Sequence, residues 1–338
     1  MNHIYYNLLI FSSLLFCWLA QYTKTYSIRT LFLFSSWLIV IIFSTIRFDV
    51  GPDYMAYVQA TNTIISQGEP SSQLDYWLFS LFSLTFQDLP YQYAYVIGLY
   101  FIITYTLIFY RSYKEGYIFL SLLIFFCFGF YFDTLDRIRQ FLAISIFFFS
   151  FRFLQNKNLF YFVIFVIFGI VAHQSFVLVI PFYFFYKLKS NKNFLVITLL
   201  TILPLSYFGL FNNLISIFLN VLPVYADRYL STIYTLSPDI GLGFLFRALV
   251  IIFCVYYTKD KFLSNLLFVG GLIHIISEGN LLINRTSAYF SILVIIALPP
   301  IIKNIKPRLI PTILTLALIV FFQGDINRNN FEYKTIFD

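Results

Sequence analysis

Two arginines stand beside carboxylates in a short polar stretch between apolar runs. The stretch contains Asp133, Asp136, Arg137 and Arg139. Like charges this close repel each other unless an anion or a carboxylate compensates them. A bound diphosphate would supply that anion, because a guanidinium can donate two parallel hydrogen bonds to phosphate oxygens. Pairing of the arginines with the two aspartates is the alternative, and the sequence leaves both open.

A second charged stretch directly follows an apolar run and contains Arg47, Gly51, Asp53, Tyr54 and Tyr57. Gly51 and the proline after it break a helix, so the neighbouring side chains can turn toward one place. Arg47 suits a phosphate group, Asp53 suits removal of a hydroxyl proton, and the two tyrosines suit sugar rings. The alternative is an arginine that reaches the membrane surface from a helix end, with an interface tyrosine beside it.

A histidine supplies a candidate general base. His173 lies between two apolar segments and is followed by Ser175. The ordinary pKa of histidine suits proton transfer near neutral pH, although packing between helices is the alternative role. Ser175 is not expected to be a hydrolase nucleophile, because no G-x-S-x-G sequence surrounds it.

The last candidate residues lie around two late apolar runs. Glu278 and Arg285 lie in a connection, Tyr289 follows them, and Arg247 enters an earlier apolar run in the same way. An ionisable group in or beside a membrane span is a functional-site hypothesis by default. We predict Glu278 as a further catalytic residue and Arg247 and Arg285 as phosphate ligands. Tyr289 is predicted to contact sugar. His274 and Glu278 are too few ligands for a metal site, so neither a metal nor a cofactor is expected.

Composition decides the fold class. The mean hydropathy is +0.82 and 11% of residues are charged, which excludes an ordinary soluble domain. Long apolar runs recur along the whole chain. We therefore predict an all-α polytopic membrane protein with about twelve transmembrane helices in a single integral membrane domain, residues 1–338. Two long periplasmic loops are predicted at 47–90 and 211–243, and the first contains an interfacial or re-entrant helix at 76–88. The three cysteines lie inside apolar runs and are predicted to be buried.

Charge is sorted along the chain. Of the 22 basic residues, ten lysines and four arginines fall in short loops that alternate with the predicted spans. Lysine in short loops marks the cytoplasmic side of a membrane protein. The candidate arginines share the opposite side with 13 of the 15 acids, so the site is predicted to face outward. The net charge of +7 is therefore a topology signal and does not indicate nucleic-acid binding.

These stretches, in this order, resemble the EpsG/Wzy family of polysaccharide polymerases. The family patterns are R-x-x-x-G-x-D-x-x-x-Y, R-Q-x-x-A, H-x-S and an arginine followed by Tyr-Phe in a late span. The matching positions are Arg47, Gly51, Asp53 and Tyr57; Arg139, Gln140 and Ala143; His173 and Ser175; and Arg285, Tyr289 and Phe290. Pro52 and Gln174 depart from the pattern and leave the charged groups in place.

The resemblance implies a glycosyltransferase of the bacterial inner membrane whose active site faces the periplasm. Its substrate would be an oligosaccharide repeat unit on undecaprenyl diphosphate, and its product a longer O-antigen or exopolysaccharide chain. Membrane lipid surrounds such a protein, and a flippase and a chain-length regulator are the implied partners. The arginines at 47, 137, 139, 247 and 285 would hold the diphosphate, and His173, with Asp53 second, would be the base.

Three other functions stay open on the residues alone. A flippase or other transporter would place charged groups near the middle of the bilayer and show related halves. Here the polar residues gather at one side and no repeat is visible. An O-antigen ligase uses similar chemistry with a different acceptor. A non-catalytic membrane assembly protein is the third alternative.

Overall fold

The computed structural model describes residues 2–208, 211, 241–277, 281–328 and 332–337. Over these ranges the regular structure is helical, and the one strand-like contact is an isolated bridge between Arg47 and Thr335. The helices are α1 (Asn2–Tyr22), α2 (Tyr26–Thr45), α3 (Tyr54–Gln67), α4 (Leu74–Thr85), α5 (Gln92–Lys114), α6 (Ile118–Cys127), α7 (Phe130–Asp136), α8 (Ile138–Gln155), α9 (Leu159–Ala172), a 3₁₀ helix (Gln174–Lys187), α10 (Lys192–Tyr207), α11 (Leu242–Tyr257), α12 (Lys261–Ile276), α13 (Leu281–Ser291), α14 (Val294–Asn304) and α15 (Leu309–Arg328).

The chain forms two compact units. Unit 1 contains Met1–Ile180 and Pro307–Asp338, and unit 2 contains Pro181–Lys306. In unit 1, α8 packs against α5 and α9, α1 packs against α2 and α6, and α4 packs against α9. In unit 2, α12 packs against α10, α11 and α13.

Helix α8 is the centre of unit 1. In its apolar window 78% of the residues are buried, against 22% in α2. Between its polar ends, the sequence of α8 (residues 141–151) is almost entirely apolar, as expected of a helix that is covered all round. Helix α2 instead exposes large apolar side chains such as Phe34, Leu38 and Ile42, which suits contact with lipid.

The prediction of a helical membrane protein is confirmed. Fewer helices are long enough to cross a membrane than the twelve or so spans that the sequence predicts. Among the described residues, five helices are long and apolar enough to cross a membrane, and two bent pairs raise the number to seven. The bent pairs are α6 with α7, at 60°, and α13 with α14, at 48°. The shorter apolar runs of the sequence, at 158–172, 174–186, 194–210, 244–257 and 262–276, coincide with α9, the 3₁₀ helix, α10, α11 and α12, none of which reaches 18 residues. The apolar runs themselves predict these short lengths, because each is below the ~20 residues that a span usually needs.

The predicted loop at 47–90 contains two helices. Helix α4 coincides with the predicted interfacial segment, whereas α3 was not predicted. The residues of α3 mix polar and apolar types and form no continuous apolar run, so hydropathy does not predict this helix. The second predicted loop, 211–243, lies almost entirely outside the described residues. The three cysteines are buried, as predicted.

The two ends of unit 1 differ in chemistry. At one end the side chain of Gln21 accepts a hydrogen bond from the backbone of Phe119, and Arg111 donates to Gln155. These residues border the lysine-rich loops. The opposite end carries Arg47, Arg137 and Arg139 with their neighbouring acids, because α2 ends there and α8 begins there.

Candidate active site

Arg47 lies just beyond the end of α2 and is completely buried. Its guanidinium donates hydrogen bonds to the backbone carbonyls of Val50 and Leu135, and it faces the ring of Tyr54 at 5.1 Å. The hydroxyl of Tyr54 donates in turn to the carbonyl of Arg47, at 3.1 Å. Arg47 therefore ties the turn after α2 to the end of α7. Its predicted role as a diphosphate ligand stays a prediction, and its contacts are those of a structural brace.

The turn after α2 needs a glycine at position 51. Gly51 has φ of +100°, and a Cβ atom there would lie 3.2 Å from the carbonyl oxygen of Leu135 and 3.4 Å from Arg47 Nη1. L-residues with side chains rarely adopt this backbone conformation. The glycine of the motif thus makes room for the hydrogen bond between Arg47 and Leu135.

Arg139 lies in the first turn of α8 and is 8% exposed. Its Nη1 donates to the carbonyl oxygen of Asp75 at 2.9 Å and lies 3.5 Å from the Asp75 carboxylate. The guanidinium carbon lies 3.4 Å from the centroid of the Tyr76 ring. The buried Nε–H of Arg139 has no acceptor among the described residues, and the same is true of Nε of Arg47 and of Arg111. Arg139 and Arg47 differ at their terminal nitrogens: both of those of Arg47 donate to carbonyls, whereas only Nη1 of Arg139 donates to a described residue.

Tyr57 joins Arg139 to the acids of the site. Its hydroxyl lies against the backbone of Arg139, and the charges of Asp53 and Asp136 act on it. Burial raises the pKa of the Tyr57 hydroxyl to about 12, although the positive charge of Arg139 opposes the rise. Tyr57 therefore stays protonated at neutral pH and can donate a hydrogen bond to an oxygen of a bound molecule.

The remaining charges of this stretch are largely paired internally. Arg137 forms an ion pair with Asp133 one helical turn before it. The backbone N–H of Asp53 donates to the carboxylate of Asp136 at 3.3 Å. For Arg137 the structure therefore shows the internal pairing that the sequence left open. The role of Arg137 as a diphosphate ligand stays a prediction.

His173 ends α9 and is half-buried. Its Nδ1 lies 2.7 Å from the hydroxyl of Ser175 and accepts a hydrogen bond from the Ser175 backbone N–H at 3.2 Å. Because Nδ1 accepts that N–H, the neutral ring carries its proton on Nε2. The nitrogen that can take up a proton is thus the one beside Ser175.

The packing of α9 against α8 places His173 close to the level of Arg139 along the helix axes. Two ring contacts set the antiparallel register of these helices. Phe153 meets Tyr161 at 5.1 Å, and Phe149 meets Phe165 at 5.2 Å. Continuing this register brings His173 opposite the second turn of α8, about 3 Å along the axis from Arg139.

Unit 2 contains the other predicted residues. Arg247 and Arg285 are half-exposed, and Tyr289 is completely buried. Arg247 lies close to His274, whose ring contacts Asn284 at 3.2 Å and the carbonyl of Phe244 at 3.3 Å. Glu278 lies outside the described residues. The burial of Tyr289 in unit 2, like that of Tyr54 in unit 1, favours packing over sugar contact, and both sugar roles stay predictions.

Sequence reasoning missed Asp75 and Tyr76. They hold the guanidinium of Arg139, yet they precede it by more than sixty positions and belong to α4. The available signal was an acid and an aromatic residue at the start of a short apolar segment in an outward loop. No grouping of three or more metal-ligating side chains occurs in the described parts of the chain.

The profile of the EpsG family matches residues 30–334. This range covers nearly the whole chain and includes every residue of the candidate site. The chain belongs to the EpsG family. Searches of curated proteins and of solved structures gave no match. Membership of the EpsG family makes this chain a membrane protein related to polysaccharide polymerases.

Proposed function

We propose that this EpsG-family protein is a glycosyltransferase that polymerises oligosaccharide repeat units carried on undecaprenyl diphosphate. The reaction takes place at the periplasmic face of the bacterial inner membrane. The observation that carries the proposal is the environment of Arg139: a buried guanidinium at the start of α8, held by Asp75 and Tyr76, whose Nη1 alone donates to a described residue and whose second terminal nitrogen is left for a ligand. A diphosphate oxygen is the acceptor that fits such a donor.

The transfer step uses a lipid diphosphate as the leaving group. The oxygen of the acceptor sugar hydroxyl forms a bond to the anomeric carbon of the donor chain. The bond from that carbon to the diphosphate oxygen breaks, and the electron pair leaves with the diphosphate. Arg139 stabilises the negative charge that develops there, in a site from which its burial excludes bulk water. In this proposal Arg47 and Arg137 hold the surrounding chain. The diphosphate role of Arg285 and Arg247 rests on the sequence pattern alone.

The hydroxyl proton goes to His173 through Ser175. The acceptor hydroxyl gives its proton to Ser175 Oγ, while the proton of Ser175 passes to Nδ1 of His173, 2.7 Å away. This route follows from the tautomer that the Ser175 backbone N–H imposes on the ring. Asp53 is the second candidate base, since it belongs to the acidic group around Tyr57, and Glu278 is the third.

Substitution of Ser175 tests the proton route. Ser175→Ala should reduce the polymerisation rate about tenfold or more, because the relay loses its middle oxygen. Ser175→Thr keeps a hydroxyl and should retain most of the rate. If the Ser175→Ala variant polymerises normally while the His173→Ala variant is inactive, His173 takes the proton directly from the acceptor hydroxyl. If both are fully active, the base is elsewhere.

The function itself is tested with purified protein in lipid nanodiscs and one defined lipid-linked repeat unit. A ladder of longer lipid-linked chains is the expected product. Transfer of the unit only to added lipid A core would identify a ligase instead. A flippase remains the second candidate, because the 60° break between α6 and α7 is typical of transporters. Translocation of unchanged substrate in sealed vesicles, without any ladder, would establish that function in place of the polymerase.

A further inference from the structure

An apolar groove runs between the spans α2 and α5 of unit 1. Its volume is about 250 Å³, and its lining is almost entirely apolar. Residues from the end of α2, the end of α4 and the first half of α5 form it. The main lining residues are Ile41, Ile42, Thr45, Phe86, Gly98 and Ile102.

The groove opens toward the surface that a bilayer covers. Ile42 is 48% exposed and Ile102 is 38% exposed, and both belong to helices long and apolar enough to span the membrane. The floor of the groove depends on a close approach of the two helices. A Cβ atom on Gly98 would lie 2.9 Å from the Thr45 side chain, so a larger residue there would push α2 and α5 apart.

Helix α4 connects the groove to the arginine site. Its first turn carries Asp75 and Tyr76, which hold Arg139, and Phe86 just after its last turn lines the groove. Asp75 and Phe86 are eleven positions apart along this helix, roughly 16 Å. The groove therefore begins within reach of a chain attached to a headgroup at Arg139.

We infer that this groove binds the first isoprene units of the lipid carrier while the diphosphate lies at Arg139; the inference rests on the proposed function. The tail of a polyprenyl diphosphate leaves its headgroup at the membrane boundary and must continue along a lipid-facing surface. Once the headgroup is bound, the tethered tail is present at high effective concentration beside the groove, and unattached lipid chains are not. Burial of the branched tail against Ile41, Ile42 and Ile102 adds to the affinity of the carrier.

A substitution that fills the groove distinguishes the contribution of the tail to donor binding from that of the headgroup. Ile42→Trp fills the groove, and Leu38→Trp places the same residue one turn earlier on α2, at a position 37% exposed that does not line the groove. Both are assayed with a donor on a long polyprenyl chain and with a donor whose diphosphate carries a methyl group in place of the polyprenyl chain. Ile42→Trp should raise the KM for the polyprenyl donor about tenfold and leave the KM for the methyl donor unchanged. Leu38→Trp should change neither. Equal effects of the two substitutions would overturn the inference.

A binding experiment distinguishes failure of the groove from failure of the proposed function. The probe is a polyprenyl diphosphate without sugar that carries a photoreactive diazirine in its second isoprene unit. Labelling of α2 or α5 peptides at the groove in the wild-type protein, and its loss in Ile42→Trp, is the expected result. If the protein is labelled in this way but forms no ladder, the proposed polymerase function is wrong and the inference that the groove binds the tail stands. Equal labelling of the same peptides by a photoreactive phospholipid would contradict the inference that the groove binds the carrier tail.

Discussion

Arg47 and Arg139 are two buried arginines at the same end of unit 1, and their surroundings differ in kind. Arg47 donates to the carbonyls of Val50 and Leu135. Arg139 donates from one terminal nitrogen to Asp75 and lies on the face of the Tyr76 ring. The first arginine replaces missing backbone partners at the ends of helices. The second is oriented by contacts that leave part of its donor set for a ligand.

Both arginines are buried and both match a family pattern, so only the use of their donors distinguishes the roles proposed for them. A guanidinium has five N–H donors, and the use of those donors decides what else it can bind. Arg47 resembles a brace because its contacts lie within the protein backbone. Arg139 resembles a ligand-binding residue because its side-chain contacts, the Tyr76 ring and the Asp75 carboxylate at 3.5 Å, leave one terminal nitrogen without a described acceptor. The predictions that follow are arranged from the largest expected effect to the smallest.

Loss of Arg139 should have the largest effect on catalysis. Arg139→Ala should reduce polymerisation by about a hundredfold or more, leaving mainly single-unit substrate, while the protein stays folded and inserted. Arg139→Lys should recover only part of the rate, because lysine cannot donate in a fork. The measurement is ladder formation in nanodiscs.

Arg111 provides the matched control for Arg139. It is 6% exposed, lies at the opposite end of unit 1 and bonds Glu115 and Gln155. Arg111→Ala should keep the specific activity of the folded fraction. A normal ladder from Arg139→Ala would remove Arg139 from the diphosphate role.

Loss of Arg47 should lower the stability of the protein more than the polymerisation rate of each folded molecule. Arg47→Ala leaves the buried carbonyls of Val50 and Leu135 without their charged donors, which should lower the free energy of unfolding by about 3 kcal/mol. Denaturant unfolding in detergent measures this change, and activity is expressed per folded molecule. Unchanged stability together with lost activity would instead indicate that Arg47 binds the diphosphate, as proposed for Arg139, and the proposed difference between the two arginines would be wrong.

Gly51 tests whether the Arg47 turn needs space as well as backbone freedom. Gly51→Ala should destabilise the protein by about 1–3 kcal/mol because of its positive φ, with a further loss from crowding of the Leu135 carbonyl. Gly68→Ala is the control: Gly68 has φ of +70° and open space where a Cβ would lie. Equal losses of unfolding free energy from the two substitutions would show that crowding contributes nothing.

Removal of the Asp75 charge should have the smallest effect. In Asp75→Asn the backbone carbonyl still holds Arg139, but a competing negative charge is gone, so the KM for the lipid-linked donor should fall about threefold. Asp88→Asn removes an acid at an exposed position and should leave this KM unchanged. A rise in KM for Asp75→Asn would mean that the carboxylate is needed to position Arg139.

Much of the fold was predictable from the sequence, and less of the site. Each predicted apolar segment coincides with a helix or a bent helix pair, because backbone polar groups in lipid must be satisfied within the segment. Hydropathy did not predict α3, whose residues are mixed. The short apolar runs did predict short helices at α9 to α12. The motifs identified Arg139 and His173 but gave no sign of Asp75 and Tyr76.

The sequence by itself determined the class of protein, the sorting of charge between two sides, and the set of arginines worth testing. These properties are local, since apolar length and loop charge are read within one segment. Only the tertiary structure decided that Arg47 bonds Leu135, 88 positions away, and that Arg139 bonds Asp75, 64 positions away. Helix periodicity predicts which face of a helix is apolar, but it does not specify which distant carbonyl or carboxylate packs against that face.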